Sequence, residues 1–188
     1  MAITQYSYGI NTQANMNNNV VERFKTWTAE EVRADLFPNR KDMVCIFENI
    51  GYNINIACAI RSLNCFLGRE AYIVGRRRFD ARGGVGARHY TKIFHADTTQ
   101  EVVEKLKPQG YTIYAVDNIM EYNPKNMWDI KFPVKSAFIF GSESDGITKD
   151  ALELSDDMVY IKQDGAIRSL NVACAAACIM SEYSRQHR

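Results

Sequence analysis

From Met43 onward, short apolar runs alternate with segments of helical periodicity. MVCIFE (43–48) is a β-rich run, and NIACAIRSLNCFL (55–67) spaces its apolar residues as a helix does. EAYIVG (70–75) predicts a strand that ends on glycine. KIFHA (92–96) predicts another, TTQEVVEKLK (98–107) a helix stopped by Pro108, and YTIYAVD (111–117) a further strand. SAFIFG (136–141), the helix TKDALELS (148–155), the strand MVYIK (158–162) and a final helix over 168–186 complete the series. Strands alternating with helices predict an α/β fold, a parallel sheet with helices on both faces. Ahead of it, residues 1–19 are polar and Asn-rich and predict a poorly ordered tail. Val20, Val21, Phe24, Trp27, Val32 and Leu36 predict two short helices before Pro38, with Thr28 and Glu31 as a capping box. The chain thus divides into an N-terminal extension, 1–42, and a main domain, 43–188.

Length and composition narrow the class. The 188 residues, 46% hydrophobic and 24% charged, suit one soluble domain with a sizeable core. No apolar run approaches a membrane span, and the N-terminus has no signal-peptide pattern. Cys45, Cys58, Cys65, Cys174 and Cys178 form no Cys-x-x-Cys pair, and no histidine is spaced to complete a metal site, so reduced, buried thiols in the cytoplasm are expected. Net charge is +1, yet Arg69, Arg76, Arg77, Arg78, Arg82, Arg88 and Lys92 face only Glu70 and Asp80 over one stretch. Such a patch can bind phosphates, or be a solvated loop.

Ligands of parallel sheets bind beyond the carboxyl ends of strands, where three loops hold unusual residues. In GSESDGI, Gly141 follows an apolar strand, Gly146 closes the loop, and Glu143 lies between them. In IKQDGAIRSLNVA (161–173), Ser169 and Asn171 stand at a helix start, with Ser169 the expected N-cap, ahead of the small residues Ala173 to Cys178. In NIGYNINIACAIRSLNCF (49–66), Asn55 stands as an N-cap and Arg61 lies in an apolar helix, where burial would demand an anionic partner. Each also has an ordinary reading: a strand–helix turn, a cap, a structural salt bridge. Gly-x-Gly-x-x-Gly, His-Glu-x-x-His and Gly-x-Ser-x-Gly motifs do not occur.

Taken in order, the three segments resemble the motifs of the SpoU/TrmH branch of the SPOUT RNA methyltransferases. Asn55 with Arg61 resembles the first motif, Gly141–Gly146 (Gly-x-Glu-x-x-Gly) the second, and Ile161–Val172, ending in Arg-Ser-Leu-Asn-Val, the third. The similarity covers about 43 to 188. Lys162 replaces the usual proline after the third-motif Ile, and Ala57 stands where the family often has Gly or Ser. The resemblance implies a C-terminal deep trefoil knot, a homodimer built on the final helix, and no metal. It implies S-adenosylmethionine held by Ala115, Val116, Phe140, Gly141, Gly146, Ile161 and Leu170. Arg61 would be the central catalytic residue, with Asn55, Glu143, Ser169 and Asn171 around it. Arg61 is either a general base, which fits poorly with a guanidinium pKa above ~12, or an orienting clamp. Arg76, Arg77, Arg78, Arg82 and Arg88 would meet RNA, tRNA in preference to rRNA, and the reaction would be ribose 2′-O-methylation in the cytoplasm. The competing classes are a non-catalytic RNA-binding module on this fold and a small-molecule methyltransferase.

Overall fold

The apolar run at 43–48 forms strand β2 (Lys41–Glu48), inside an eight-stranded sheet. A computed structural model describes residues 3–6, 19–48, 50–75, 78–142 and 144–188. The other strands are β1 (Thr4–Gln5), β3 (Gly68–Val74), β4 (Lys92–Ala96), β5 (Thr112–Val116), β6 (Lys125–Asn126), β7 (Ser136–Phe140) and β8 (Asp157–Tyr160). Their spatial order is β1-β4-β3-β2-β7-β5-β8-β6. Every pairing is parallel except β1 with β4, where Thr4 faces His95 and Gln5 faces Phe94. This antiparallel edge lies within the stretch read as a polar tail; residues 7–18 of that tail lie outside the described residues.

Both faces of the sheet are covered, which is why β2 and β7 read as continuous apolar runs. Met43, Cys45 and Phe47 turn toward α2 (Asn53–Cys65) and α5 (Val172–Gln186), packing with Ile60, Leu63, Ile179 and Tyr183. Val44 and Ile46 turn the other way, toward α3 (Thr99–Leu106) and α4 (Lys149–Leu154), with Val102, Leu106 and Ala151. Glu48 ends β2 as a buried carboxylate. It accepts from the Thr99 hydroxyl (2.5 Å), the Thr148 hydroxyl (2.9 Å) and the Thr148 amide (3.1 Å), fixing α3 and α4 against the strand end. At the far end of α5 the buried Tyr183 hydroxyl donates to the Val134 carbonyl, and burial pushes its pKa up to about 12. Gln186 bonds Phe132 N (2.8 Å) and Ile130 O (2.9 Å), so α5 is pinned to the segment that leads into β7.

The capping box expected at Thr28 and Glu31 is present on α1 (Ala29–Leu36). Phe24 and Val32 are buried, Arg33 donates to the His89 carbonyl (2.7 Å), and Arg40 donates to the carbonyls of Gly68 (2.5 Å) and Tyr90. Two helix starts differ from the sequence reading. α2 begins at Asn53 with Tyr52 at the N-cap, which puts Asn55 inside the first turn. α5 begins at Val172 and is capped by Asn171, not Ser169: the Asn171 side chain accepts from Ala173 N at 2.9 Å. All five cysteines are free, but Cys65 and Cys174 are exposed, contrary to the expected burial. No helix among the described residues is long and apolar enough to cross a membrane.

Burial, with the guanidinium groups of Arg88 and Arg33, pushes the His89 imidazole below its ordinary value of 6.5. The unfolded chain therefore binds this proton at a higher pH than the folded one. The stability contributed by neutral His89 is complete above about pH 6.5 and is lost as pH falls through the lowered folded value. Thermal melts are expected to show Tm declining below about pH 6.5, with a shallower decline in His89→Gln. An equally steep decline in that variant would place the effect elsewhere.

Candidate functional site

A cleft of about 560 Å³ opens at the carboxyl ends of β5, β7 and β8, between the segments 116–119, 140–146 and 161–171. That size suits a small molecule or cofactor, and the strand-end position is where such sheets bind ligands.

The middle segment is closed on itself. Ser142 N donates to Gly146 O (3.0 Å) and Gly146 N to Ser142 O (2.9 Å). A Cβ on Gly141 would lie 2.2 Å from the Gly146 carbonyl and from Ile147 N, so no side chain fits there. Gly146 has φ 71°, and a Cβ on it would meet Asp117 Oδ2 at 2.9 Å. The Asp145 carboxylate accepts from the Ser142 (3.2 Å) and Ser144 (2.7 Å) hydroxyls. Glu143, expected in this loop as a catalytic carboxylate, lies outside the described residues.

The other two segments are tied to this loop and to α2. The Asn171 amide donates to Asn55 Oδ1 at 3.2 Å, joining residues 116 positions apart at the mouth of the cleft. Asn118 Nδ2 donates to the Arg168 carbonyl (3.1 Å). Ser169 and Leu170 line the cleft, with Val116, Phe140 and Ile161 deeper in its wall. Lys162, which stands in place of proline, is exposed and pairs with Asp164 at 3.2 Å.

The expected site residues therefore divide. Val116, Phe140, Gly141, Gly146, Ile161, Leu170, Ser169 and Asn171 line the cleft, and Asn55 reaches it through Asn171. Ala115 does not: its side chain turns to the opposite face of the sheet and packs with Ile139 and Met158. Arg61, expected in an apolar helix where burial would demand an anionic partner, is exposed and does not line the cleft within one chain. Six residues along α2 from Asn55, it is displaced by ~9 Å and turned by ~120° round the axis, while Ile56, Ile60 and Leu63 face the core.

The basic stretch is less free than its composition implies. Arg69 pairs with Asp42 (2.5 Å), and Arg82 forks onto Asp80 (2.6 Å). Those bonds hold the Asp80 carboxyl at about 2. Arg78 is exposed, Arg88 is half-buried beside His89 (3.4 Å), and Arg76 and Arg77 lie outside the described residues. Among the described residues no cluster of three or more His, Cys, Asp or Glu could hold a metal ion.

Sequence reasoning missed Asp117 and Asn118. Asp117 Oδ2 accepts from Ile147 N (3.0 Å), Oδ1 from Asn118 N (2.7 Å), and both residues line the cleft. A carboxylate directly after the apolar run YTIYAV, at a strand's carboxyl end, was the available signal.

Known proteins resemble the chain in sequence and in fold. The tRNA (guanosine(18)-2′-O)-methyltransferase of Thermus thermophilus is 28% identical over 149 residues, covering 77% of this chain and 75% of that protein. The Escherichia coli enzyme of the same description is 28% identical over 153 residues, covering 78% of this chain and 65% of its own length. Among solved structures, the A. aeolicus TrmH/SpoU tRNA modifying enzyme superposes with a TM-score of 0.75 at 20% identity, over 85% of this chain and 82% of that one. The SpoU methyltransferase AviRb of Streptomyces viridochromogenes, in complex with the cofactor AdoMet, gives 0.70 at 23% identity, over 81% and 61%. At these identities the two structures speak for the fold alone. The model of the SpoU rRNA Methylase family matches residues 42–181 of the 188, and the chain belongs to that family.

Proposed function

We propose that this chain is an RNA methyltransferase that uses S-adenosylmethionine to methylate a ribose 2′-hydroxyl, with tRNA as its substrate class. The observation that carries the reading is the cleft itself. Three loops meet at the strand ends, a glycine pair leaves room only for backbone on one wall, and Asn55 of the first motif bonds Asn171 of the third. The relatives described as tRNA (guanosine(18)-2′-O)-methyltransferases support it.

Val116, Phe140, Gly141, Gly146, Ile161 and Leu170 would hold the cofactor, largely through backbone groups. S-adenosylmethionine supplies an activated methyl group on a sulfonium. The protein's own task is to bring the ribose oxygen in line and accommodate the loss of its proton. Asn55, Ser169 and Asn171 stand at the mouth to orient that ribose, with Glu143 assigned to the same group. Arg61 would clamp the sugar–phosphate with its planar fork.

Its exposure on a single chain fits assembly into a homodimer through the outer faces of α2 and α5, which brings one protomer's Arg61 to the cleft of its partner. Tyr52, Ile54 and Leu170, apolar yet exposed, support such a face. Ala176 is fully buried, so exposed Cys174 is the better position on α5 to probe that interface. Arg76, Arg77, Arg78, Arg82 and Arg88 are assigned to the RNA backbone, and residues 1–42 to RNA selection, in a cytoplasmic enzyme whose C-terminal part is knotted.

The test is incubation with labelled S-adenosylmethionine and unmodified total tRNA or rRNA, followed by nucleoside mapping. Label is expected in a 2′-O-methylated nucleoside of tRNA. Label only in rRNA would move the substrate class. No cofactor binding by calorimetry at millimolar concentration would overturn the enzyme reading.

A further inference from the structure

We propose that Asp117 is a specificity residue of the cofactor cleft, latching the glycine loop while placing beside the ligand the negative charge that favours a sulfonium over its neutral thioether product. The inference rests on the cofactor reading above and assigns a role to a residue that lies outside the three motifs.

The latch is geometric. Asp117 directly follows β5, between the two other strands whose ends form the cleft. Its Oδ2 accepts from Ile147 N at 3.0 Å and lies where a Cβ on Gly146 would come to 2.9 Å. Its Oδ1 accepts from Asn118 N at 2.7 Å, and Asn118 in turn holds the Arg168 carbonyl at 3.1 Å. Asp117 and Asn118 therefore tie all three loops of the cleft to one strand end. Loss of these bonds would leave the described residues of the loop 141–147 to their own internal bonds, the Ser142–Gly146 pair and the Asp145 contacts with Ser142 and Ser144.

The charge is a separate matter. Among the described residues lining the cleft, the charged side chains are two carboxylates, Asp117 and Asp145, against one guanidinium, Arg168. Asp145 is turned onto the Ser142 and Ser144 hydroxyls, and neither Asp117 nor Arg168 enters an ion pair among the described residues. Each Asp117 oxygen accepts one backbone N–H and keeps a further lone pair. The backbone donors orient the carboxylate. S-adenosylmethionine carries a positive sulfur that S-adenosylhomocysteine lacks. A fixed anion in the wall therefore gives the two ligands different affinities and favours exit of the product.

Calorimetry with both ligands on the full chain separates latch from charge. Asp117→Asn removes the charge and keeps an oxygen for Ile147 N–H, the bond that latches the glycine loop, while giving up the bond from the adjacent Asn118 N–H. It is expected to weaken S-adenosylmethionine by about threefold or more, leave S-adenosylhomocysteine within about twofold, and make the difference shrink as salt rises. Asp117→Ala, which removes the latch as well, is expected to weaken both ligands. Equal weakening of the two ligands by Asp117→Asn, or no change in either, overturns the proposal while leaving the cofactor reading standing. A wild-type chain that binds neither ligand overturns the cofactor reading itself.

Discussion

Arg61→Ala is expected to lose methyl transfer by at least about 10²–10³-fold, the scale on which one well-placed charged donor acts in a transition state. The fold and the cofactor affinity should hardly change. Arg61 is exposed, lies off the cleft wall in its own chain, and projects away from the α2 residues that face the core. Substitutions at such positions usually shift stability by no more than about 0.5 kcal/mol. Arg61→Lys distinguishes the two roles open to this residue. Lysine retains the charge but not the bidentate fork, and its lower intrinsic pKa makes it the easier base. As a clamp, Arg61 should tolerate lysine almost as badly as alanine at every pH. Single-turnover rates for Arg61→Lys that climb with pH would instead identify a base. Wild-type turnover in Arg61→Ala, on RNA mapped as 2′-O-methylated, would remove Arg61 from the site.

The strands were legible wherever burial on both faces left an unbroken apolar run, as in MVCIFE and SAFIF. β1 and β6 were not, because two residues paired at a sheet edge leave no pattern to read. Helix starts slipped where several residues in a row can cap. Ser169 and Asn171 both have the chemistry, and only the backbone path lets Asn171 reach Ala173 N. Whether Arg61 is buried was not legible, for a related reason. Its neighbours along the chain are apolar, but helical geometry sends Ile60 and Leu63 inward and Arg61 out. The Arg-rich stretch looked freer than it is, since Asp80 returns two residues later onto Arg82 and Asp42 reaches Arg69 from a neighbouring strand. The glycines of the second motif were readable as a close approach. What they approach was not: Gly141 meets Gly146 of its own loop, and Gly146 meets Asp117 from another strand.

That close approach makes Gly141→Ala the most damaging single methyl group in the cleft. The added Cβ would sit 2.2 Å from the carbonyl of Gly146 and from Ile147 N, a distance that only a backbone shift can relieve. The shift is opposed on every side. Ser142 and Gly146 are bonded to each other in both directions, Ile147 N is held by Asp117, and Phe140 just before is buried in β7. Overpacking without room to relax costs about 1–3 kcal/mol. For a chain of this size that is a fall in Tm of roughly 2–4 °C per kcal/mol. Cofactor binding should suffer more, because any relief moves the cleft wall. Gly165→Ala is the matched control in the third loop: a Cβ there meets nothing within 4 Å. With no contact to break and less freedom in the unfolded chain, Gly165→Ala should be neutral or slightly stabilising. Melting curves and calorimetric titration of S-adenosylmethionine on the two variants test both expectations. Wild-type affinity in Gly141→Ala would mean that the closed loop is not the form that binds the cofactor.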